Sequence, residues 1–331
     1  MNDAFLPSRR HMLKGAAVLA ASASPMAGLA AAESFPEWLR GLRAEALKSG
    51  IRPATFDRAF DGVQPIPRVI ELDRKQPESR MTFAEYRRKV ISDTRVQRGR
   101  QLRRQHAAEL ASVQQRYGVP PEVVVALWGV ESSYGDFKGT FKVVDSLATL
   151  AWEGRRASFF RKELMSALRI LDAGDVRPDA MYGSWAGAMG QCQFMPSTYL
   201  RYAADGDGDG RRDIWNTLPD VFASIANYLS GAGWDAGDRW GREVRLPRGS
   251  AELRTGLDHK APLRAWAELG VRPLDSDTLP TPAMYASLLD MGSGSGPNFL
   301  VYDNFRTLMV WNRSTYFALS VGLISDMLRQ G

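Results

Sequence analysis

Apolar and polar positions divide the chain into stretches with different periods. One apolar block, "GAAVLAASASPMAGLAAA", fills residues 15–32 directly after "SRRHMLK". Residues 33 to about 115 carry helical spacing and many arginines, with a proline-broken connection at "GVQPIPRV"; they predict an N-terminal helical domain. Residues 116–239 hold helix starts, glycine-rich turns and most of the tryptophans, and read as the core. Residues 240–280 change character. "REVRLP" alternates like a short strand, and Pro247, Pro262, Pro273 and Pro280 break the rest, which predicts a small β-containing subdomain. Residues 281–331 hold "LLDMGSGSGPNFLVY", a glycine-rich turn leading into a strand or loop, and then a helical pattern from Asn312 to Leu328. The pattern predicts a mainly α protein with a minor sheet.

One helical stretch departs from the expected division of polar and apolar residues. In "ALWGVESSYG" (126–135) a single carboxylate, Glu131, follows an apolar run. Pro120, Pro121 and Glu122 suit a helix start, because proline fits the first turn and an acid suits the positive end of the dipole. The helix is expected to run to about Tyr134 and to stop at Gly135. Val124, Leu127, Trp128 and Glu131 then fall on one face, so Glu131 shares the apolar stripe. A buried carboxylate must find partners or accept a raised pKa. A raised pKa makes an acid able to donate a proton near neutral pH. A Glu paired with an arginine in the core is the other reading of this helix.

Composition and charge narrow the classes. The 331 residues are those of a globular protein. Of the formal net charge of +6, Arg9, Arg10, Lys14 and Asp3 lie in the first 32 residues, so the remainder is only mildly basic. That surplus suits a weakly acidic polymer and does not predict nucleic-acid binding. The twin arginines, the alanine-rich block and the small residues Ala30 and Ala32 resemble a twin-arginine export signal cleaved before Glu33. An uncleaved anchor is the alternative, and the interruption at Pro25 weighs against it. No cysteine lies near the cleavage point, so a lipid-anchored form is not expected. Cys192 is the only cysteine and is expected to be small and buried. With only His106 and His259 beyond the signal, neither a Cys–His enzyme nor a transition-metal site is expected.

About fifty residues after Glu131 comes "GSWAGAMGQCQFMPSTYLRYA" (183–203), whose glycines and alanines predict a tight loop before a helix started by Pro196 and Ser197. Together, "WGVESSYG", "GSWAGAMGQCQFMPSTY", "DGDGDGRRDIW", "SIANYLSGAGW" and "VWNRSTYFALSVG" resemble, in order, the membrane-bound lytic transglycosylase B family of bacteria. The resemblance covers nearly all of the chain beyond the signal. It implies a mainly α (α+β) fold: a lysozyme-like helical core, an additional helical domain and a small β-containing subdomain. It implies cleavage of the β-1,4 bond between N-acetylmuramic acid and N-acetylglucosamine in peptidoglycan, leaving 1,6-anhydromuramic acid ends.

Residue by residue, the resemblance places the single acid/base on Glu131. Ser184, Gln193 and Tyr228 match contacts to N-acetylated sugars. Arg155 and Arg156 in "EGRRASFF" match an arginine pair near the substrate's peptide or lactyl groups. Tyr86 matches an aromatic of the groove, and Asn312 a polar contact. Trp311 and Phe317 stand where a characterised member has tyrosines; stacking on sugar rings survives that change, but a hydroxyl hydrogen bond does not. One carboxylate suffices for such chemistry, because the attacking hydroxyl already belongs to the substrate. A lysozyme-type hydrolase would need a second, with Asp136 and Asp145 the nearest in sequence. A glycan-binding scaffold would need none.

"DGDGDGRRDIWN" (205–216) places Asp205, Asp207, Asp209 and Gly210 at positions one, three, five and six of a calcium loop, with Asp213 at position nine. Asn216 replaces the usual glutamate, which implies weak affinity. The family's metal loop uses a later aspartate, matched by Asp220. A solvated Asp/Gly turn is the other reading. No cofactor is required for the chemistry; structural calcium is the one expected ion. The expected partner is peptidoglycan, alone or beside wall-remodelling proteins, and the expected state a periplasmic monomer.

Overall fold

The computed structural model describes residues 33–75, 81–153, 155–276, 278–280, 284–292 and 296–330. The export-like segment, residues 1–32, lies outside them. Among the described residues are fourteen α-helices and seven short strands, so the chain is mainly α with a minor sheet, as its pattern predicts. No described helix is long and apolar enough to cross a membrane. The chain forms two compact units. One comprises the described residues of 77–137 and 202–331; the other comprises the described residues before position 77 and those of 138–201. The units therefore cut across the segments 33–115 and 116–239 read from the sequence. Contacts between residues far apart in the chain decide them, and such contacts leave no periodic signal.

In the first unit the helix Pro121–Ser132 is buried on every side: all residues from Glu122 to Ser132 are inside. The one-faced stripe expected from spacing is thus replaced by a helix surrounded by Asp93–Gln105, Ala107–Tyr117, Leu218–Gly231 and Thr315–Arg329. Pro121 opens it, and Glu122 accepts from Arg329 Nε at 2.7 Å. The helix stops two residues before Tyr134, because Ser133 and Tyr134 both adopt positive φ, 52° and 61°. Tyr134 is turned back onto the helix. Its hydroxyl donates to the Arg95 carbonyl at 2.8 Å. Its ring fills the space beside Gly129, where a Cβ would lie 2.5 Å from the ring.

The same unit carries a five-stranded antiparallel sheet, ordered Ala261–Pro262, Tyr285–Asp290, Asn298–Val301, Gly241–Arg245 and Arg272–Pro273. The β-containing piece extends to Val301 rather than ending near 280. Val244, Leu263 and Trp266 need an opposing apolar set to be buried, and Ala286, Leu288 and Leu300 supply it.

The second unit packs the helix Val143–Glu153 against Ala157–Ala173. Prolines start its short helices Pro53–Ala59 and Pro67–Arg74. Glu163, buried within Ala157–Ala173, accepts from the backbone N–H and hydroxyl of Ser197 at 2.9 and 2.7 Å. It thereby fixes the start of the helix that follows the glycine-rich loop.

Candidate active site

Glu131 sits near the end of the buried helix with 6% of its surface exposed. The indole Nε1 of Trp311 donates to Glu131 Oε1 at 2.5 Å. Trp311 ends the helix Asp303–Trp311 and is 2% exposed, so this bond is shielded from water. Tyr228, on Leu218–Gly231, packs edge-on against the Trp311 ring at 4.7 Å and donates its hydroxyl to the Val310 carbonyl at 2.9 Å. Tyr228 thus braces Trp311 through its ring and the preceding residue through its hydroxyl.

Tyr86 packs against Tyr316 at 5.7 Å. Burial, then the Glu131 charge, raises its phenol well above the ordinary range. Its hydroxyl is buried without a hydrogen-bond partner among the described residues, and so is Asn312 Nδ2. Asn312 Oδ1 accepts from Ser314 N–H at 3.0 Å. Native structures rarely bury a donor without use for it. Of these two donors, Tyr86 feels the Glu131 charge and Asn312 directly follows Trp311 in the chain.

Sequence reasoning placed Trp311 and Phe317 as stacking aromatics. The structure corrects both. Trp311 turns its N–H onto Glu131, and Phe317, 1% exposed, fills the core without a face free for a sugar ring. The contact between Trp311 and Glu131 spans 180 positions, which explains why no local signal announced it.

Asp136 does not stand by as a second carboxylate for hydrolysis. It pairs with Arg98, with Oδ1 at 2.9 Å from Nη2, and that guanidinium holds it below the usual carboxylate range. Burial raises Asp145, which lies in the other unit.

In the second unit the loop after Gly183 closes on itself. Ser184 N–H donates to the Ala188 carbonyl at 2.7 Å, and Ser184 Oγ accepts from Ala186 and Ala188 N–H at 3.3 and 3.0 Å. The serine hydroxyl therefore keeps its proton for donation. Glycine is required at 187, where φ is +85° and a Cβ would lie 2.5 Å from Leu147. Gln193 also has positive φ, 50°, held by bonds from its N–H and Nε2 to the Gly190 carbonyl at 3.3 and 2.9 Å. A non-glycine residue there is strained, a feature common at binding sites. Ser184 and Gln193 are partly exposed, whereas Gln191 and Cys192 are buried. Arg155 and Arg156 converge on Asp73, which the sequence reading did not single out.

In the first unit, the carboxylates of Asp205, Asp207 and Asp209 lie within 4.8 Å of one another. Gly210 and Gly208 N–H hold Asp205 below the usual range, and Gly210 makes the turn with φ +86°. Asp213 is occupied otherwise: it accepts from Trp215 and Asn216 N–H at 2.8 and 2.9 Å. Asp220 is 1% exposed and accepts from Gly206 and Asp213 N–H at 2.7 and 2.6 Å, tying the two ends of the loop. Burial, with added repulsion from Asp207 and Asp205, pushes Asp220 up to about 6.

A model of the transglycosylase SLT domain family matches residues 34–326. Membrane-bound lytic murein transglycosylase B of Escherichia coli (strain K12) is 36% identical over 242 residues, which cover 71% of this chain. The chain spans 64% of that relative's length. SltB3 from Pseudomonas aeruginosa, solved in complex with NAG-anhNAM-pentapeptide, superposes with a TM-score of 0.87 at 47% identity, covering 90% of this chain and 80% of that one. The Escherichia coli lytic transglycosylase Slt35, solved in complex with calcium, matches with a TM-score of 0.75 at 30% identity, covering 88% of this chain and 92% of that one.

Proposed function

The chain belongs to the transglycosylase SLT domain family, and on that premise we propose that it is a lytic transglycosylase of peptidoglycan with Glu131 as its single acid/base. The fold is that of the lysozyme-like lytic transglycosylases. The observation that carries the reading is the buried Glu131, gripped by Trp311 Nε1 beside the unpaired hydroxyl of Tyr86.

Glu131 gives its proton to the glycosidic oxygen as the bond from muramyl C1 breaks, and the electron pair leaves with the N-acetylglucosamine oxygen. The acetamido group of the muramic acid stabilises the cationic carbon. The Glu131 carboxylate, held by the Trp311 N–H, then takes the C6 hydroxyl proton as O6 bonds to C1. Glu131 regains its proton, the product carries a 1,6-anhydro ring, and no water is consumed. Low exposure around Glu131 keeps solvent from competing with an internal hydroxyl.

In the first unit, Tyr86 OH and Asn312 Nδ2 are the donors offered to a sugar beside Glu131; in the second unit, Ser184 and Gln193 are the polar groups the family resemblance gives as sugar contacts. Tyr228, whose hydroxyl is already engaged, serves by holding Trp311. Calcium fits the Asp205, Asp207 and Asp209 group, which offers hard oxygen donors on a glycine-turned loop. Asp220 fixes the loop's ends behind them. The ion would supply structural charge balance and no part of the reaction. Export to the periplasm through the twin-arginine route is supported by Arg9 and Arg10 and by the murein substrate of the relatives. Clearing of purified sacculi tests the activity: Glu131→Gln is expected to abolish it with an unchanged circular dichroism spectrum, and a variant that still clears sacculi at the wild-type rate refutes the assignment.

A further inference from the structure

Arg95 lies in the first turn of the helix Asp93–Gln105, and its N–H donates to the Ser92 hydroxyl that caps that helix, at 3.2 Å. A cation in a first turn runs against the helix dipole. Its side chain serves the preceding helix instead. Nη1 donates to the carbonyl of Val90, the last residue of Phe83–Val90. The last carbonyls of a helix lack partners within it, and a cation is favoured at that end. Val90 stands one turn after Tyr86, so this bond fixes the turn that carries Tyr86.

The other arm of the guanidinium reaches the end of the Glu131 helix. Nη2 lies 3.4 Å from the hydroxyl of Ser133, which closes Pro121–Ser132. The Arg95 backbone makes a third tie, because its carbonyl accepts from the Tyr134 hydroxyl. Ser133 and Tyr134 are consecutive non-glycine residues in left-handed backbone, a costly conformation that persists only where its surroundings hold it. Gly99, one turn beyond Arg95, leaves the room that the Tyr134 hydroxyl fills: a Cβ there would lie 2.5 Å from it.

Arg95 does not spend its charge on an acid. Farther along the same helix Arg98 pairs with Asp136. Arg95 has no carboxylate partner among the described residues; burial lowers its guanidinium, against the opposing effects of Tyr134 and then Tyr86. An arginine that gives its two arms to a carbonyl and a hydroxyl is using its planar fork, which holds two acceptors at a set spacing. One acceptor belongs to the helix of Tyr86, whose buried hydroxyl has no partner among the described residues and feels the Glu131 charge. The other belongs to the turn that ends the helix of Glu131.

We propose that Arg95 is a positioning residue for Tyr86: by bridging Val90 and Ser133 it sets the Tyr86 hydroxyl relative to Glu131 in the arrangement that the reaction requires. The inference rests on the reading of Glu131 as the acid/base. The test is a cycle of Arg95→Gln, Tyr86→Phe and their combination, in the full chain, on soluble peptidoglycan strands. Glu131 changes charge during the reaction, so a misplaced neighbour acts on kcat more than on KM. Each single variant is expected to lower kcat about tenfold with KM within about twofold of wild type. The double variant should stay within about twofold of Tyr86→Phe, because a residue that acts through another adds nothing once that other is gone. Arg95→Lys keeps the charge and one donor but cannot bridge both acceptors, and is expected to lose about threefold or more. A purely structural Arg95 would give losses that multiply. Losses that multiply in the double variant, or a kcat within about twofold of wild type in either single variant, overturn the proposal. If circular dichroism shows that Arg95→Gln does not fold, Arg95→Lys takes its place in the cycle and decides by the same criteria. If the folded wild type cleaves no strands, the transglycosylase reading itself fails, and the same cycle is read on the dissociation constant for the strands, by calorimetry, with the same outcomes. A wild type that neither cleaves nor binds them refutes both.

Discussion

Trp311→Phe removes one functional group, the indole N–H that donates to Glu131 Oε1 at 2.5 Å. Donor and acceptor residues are 2% and 6% exposed, so water does not take over the lost bond. A hydrogen bond to a charged group is worth about 1.5–3 kcal/mol. It is strongest after proton delivery, when Glu131 is a carboxylate, and so acts on the barrier rather than on substrate binding. Its loss is expected to lower kcat by about 10- to 150-fold with a small change in KM. The other consequence is packing. Phe keeps a ring edge-on to Tyr228 but leaves the volume of the pyrrole portion empty, a loss of about 1–2 kcal/mol of stability. Rates of fragment release from sacculi, measured beside thermal denaturation, separate the two effects. Trp311→Tyr retains an O–H donor and should fall between wild type and Phe. A Phe variant with kcat within about twofold of wild type would refute the role given to this N–H.

Removal of calcium by a chelator should lower the melting temperature. Added calcium at about tenfold over Kd should restore about 1.4 kcal/mol, an increment that Asp207→Ala with Asp209→Ala abolishes; identical melting curves with and without chelator contradict the site. In chelator, Asp220, pushed up to about 6 by burial and then by Asp207 and Asp205, binds its proton more tightly folded than unfolded. Its contribution, at most about 3 kcal/mol, is present below the unfolded value near 4 and is lost as pH rises through about 6. Denaturant titrations should show that decline between those pH values, and Asp220→Asn should flatten it. Arg9→Lys with Arg10→Lys should trap the precursor in the cytoplasm, seen by fractionation; normal periplasmic accumulation rules out the twin-arginine route.

What the sequence revealed was local. Pro121, Glu122 and the apolar run announced the Glu131 helix, and the glycines of 183–190 announced a closed loop, because proline and glycine act on their own backbone. The strand Gly241–Arg245 was legible from alternation. Its sheet was not, because the pairing of Gly241 with Val301 joins segments sixty residues apart, and the two-residue strands carry no period. The burial of the Glu131 helix on all sides was hidden by the polar-looking Glu122, whose partner Arg329 lies at the far end of the chain. Trp311 looked like a stacking platform because its chemistry allows that, and only the fold turned its N–H onto Glu131. Asp73 carried no signal at all: one acid among the charges of a short helix becomes informative only when two arginines from another helix converge on it.

The central claim is that one buried carboxylate performs both proton transfers and that an internal hydroxyl, not water, completes the reaction. Mass spectrometry of fragments released from purified sacculi by the wild type and by Glu131→Gln tests it most directly. The wild type is expected to release fragments ending in 1,6-anhydro-N-acetylmuramic acid, lighter by one water, about 18 Da, than hydrolytic products. Glu131→Gln, folded and still binding glycan, is expected to release at least about 10⁴-fold less, since one residue serves both steps. Reducing ends from the wild type, or anhydro ends from Glu131→Gln at an undiminished rate, would contradict that claim.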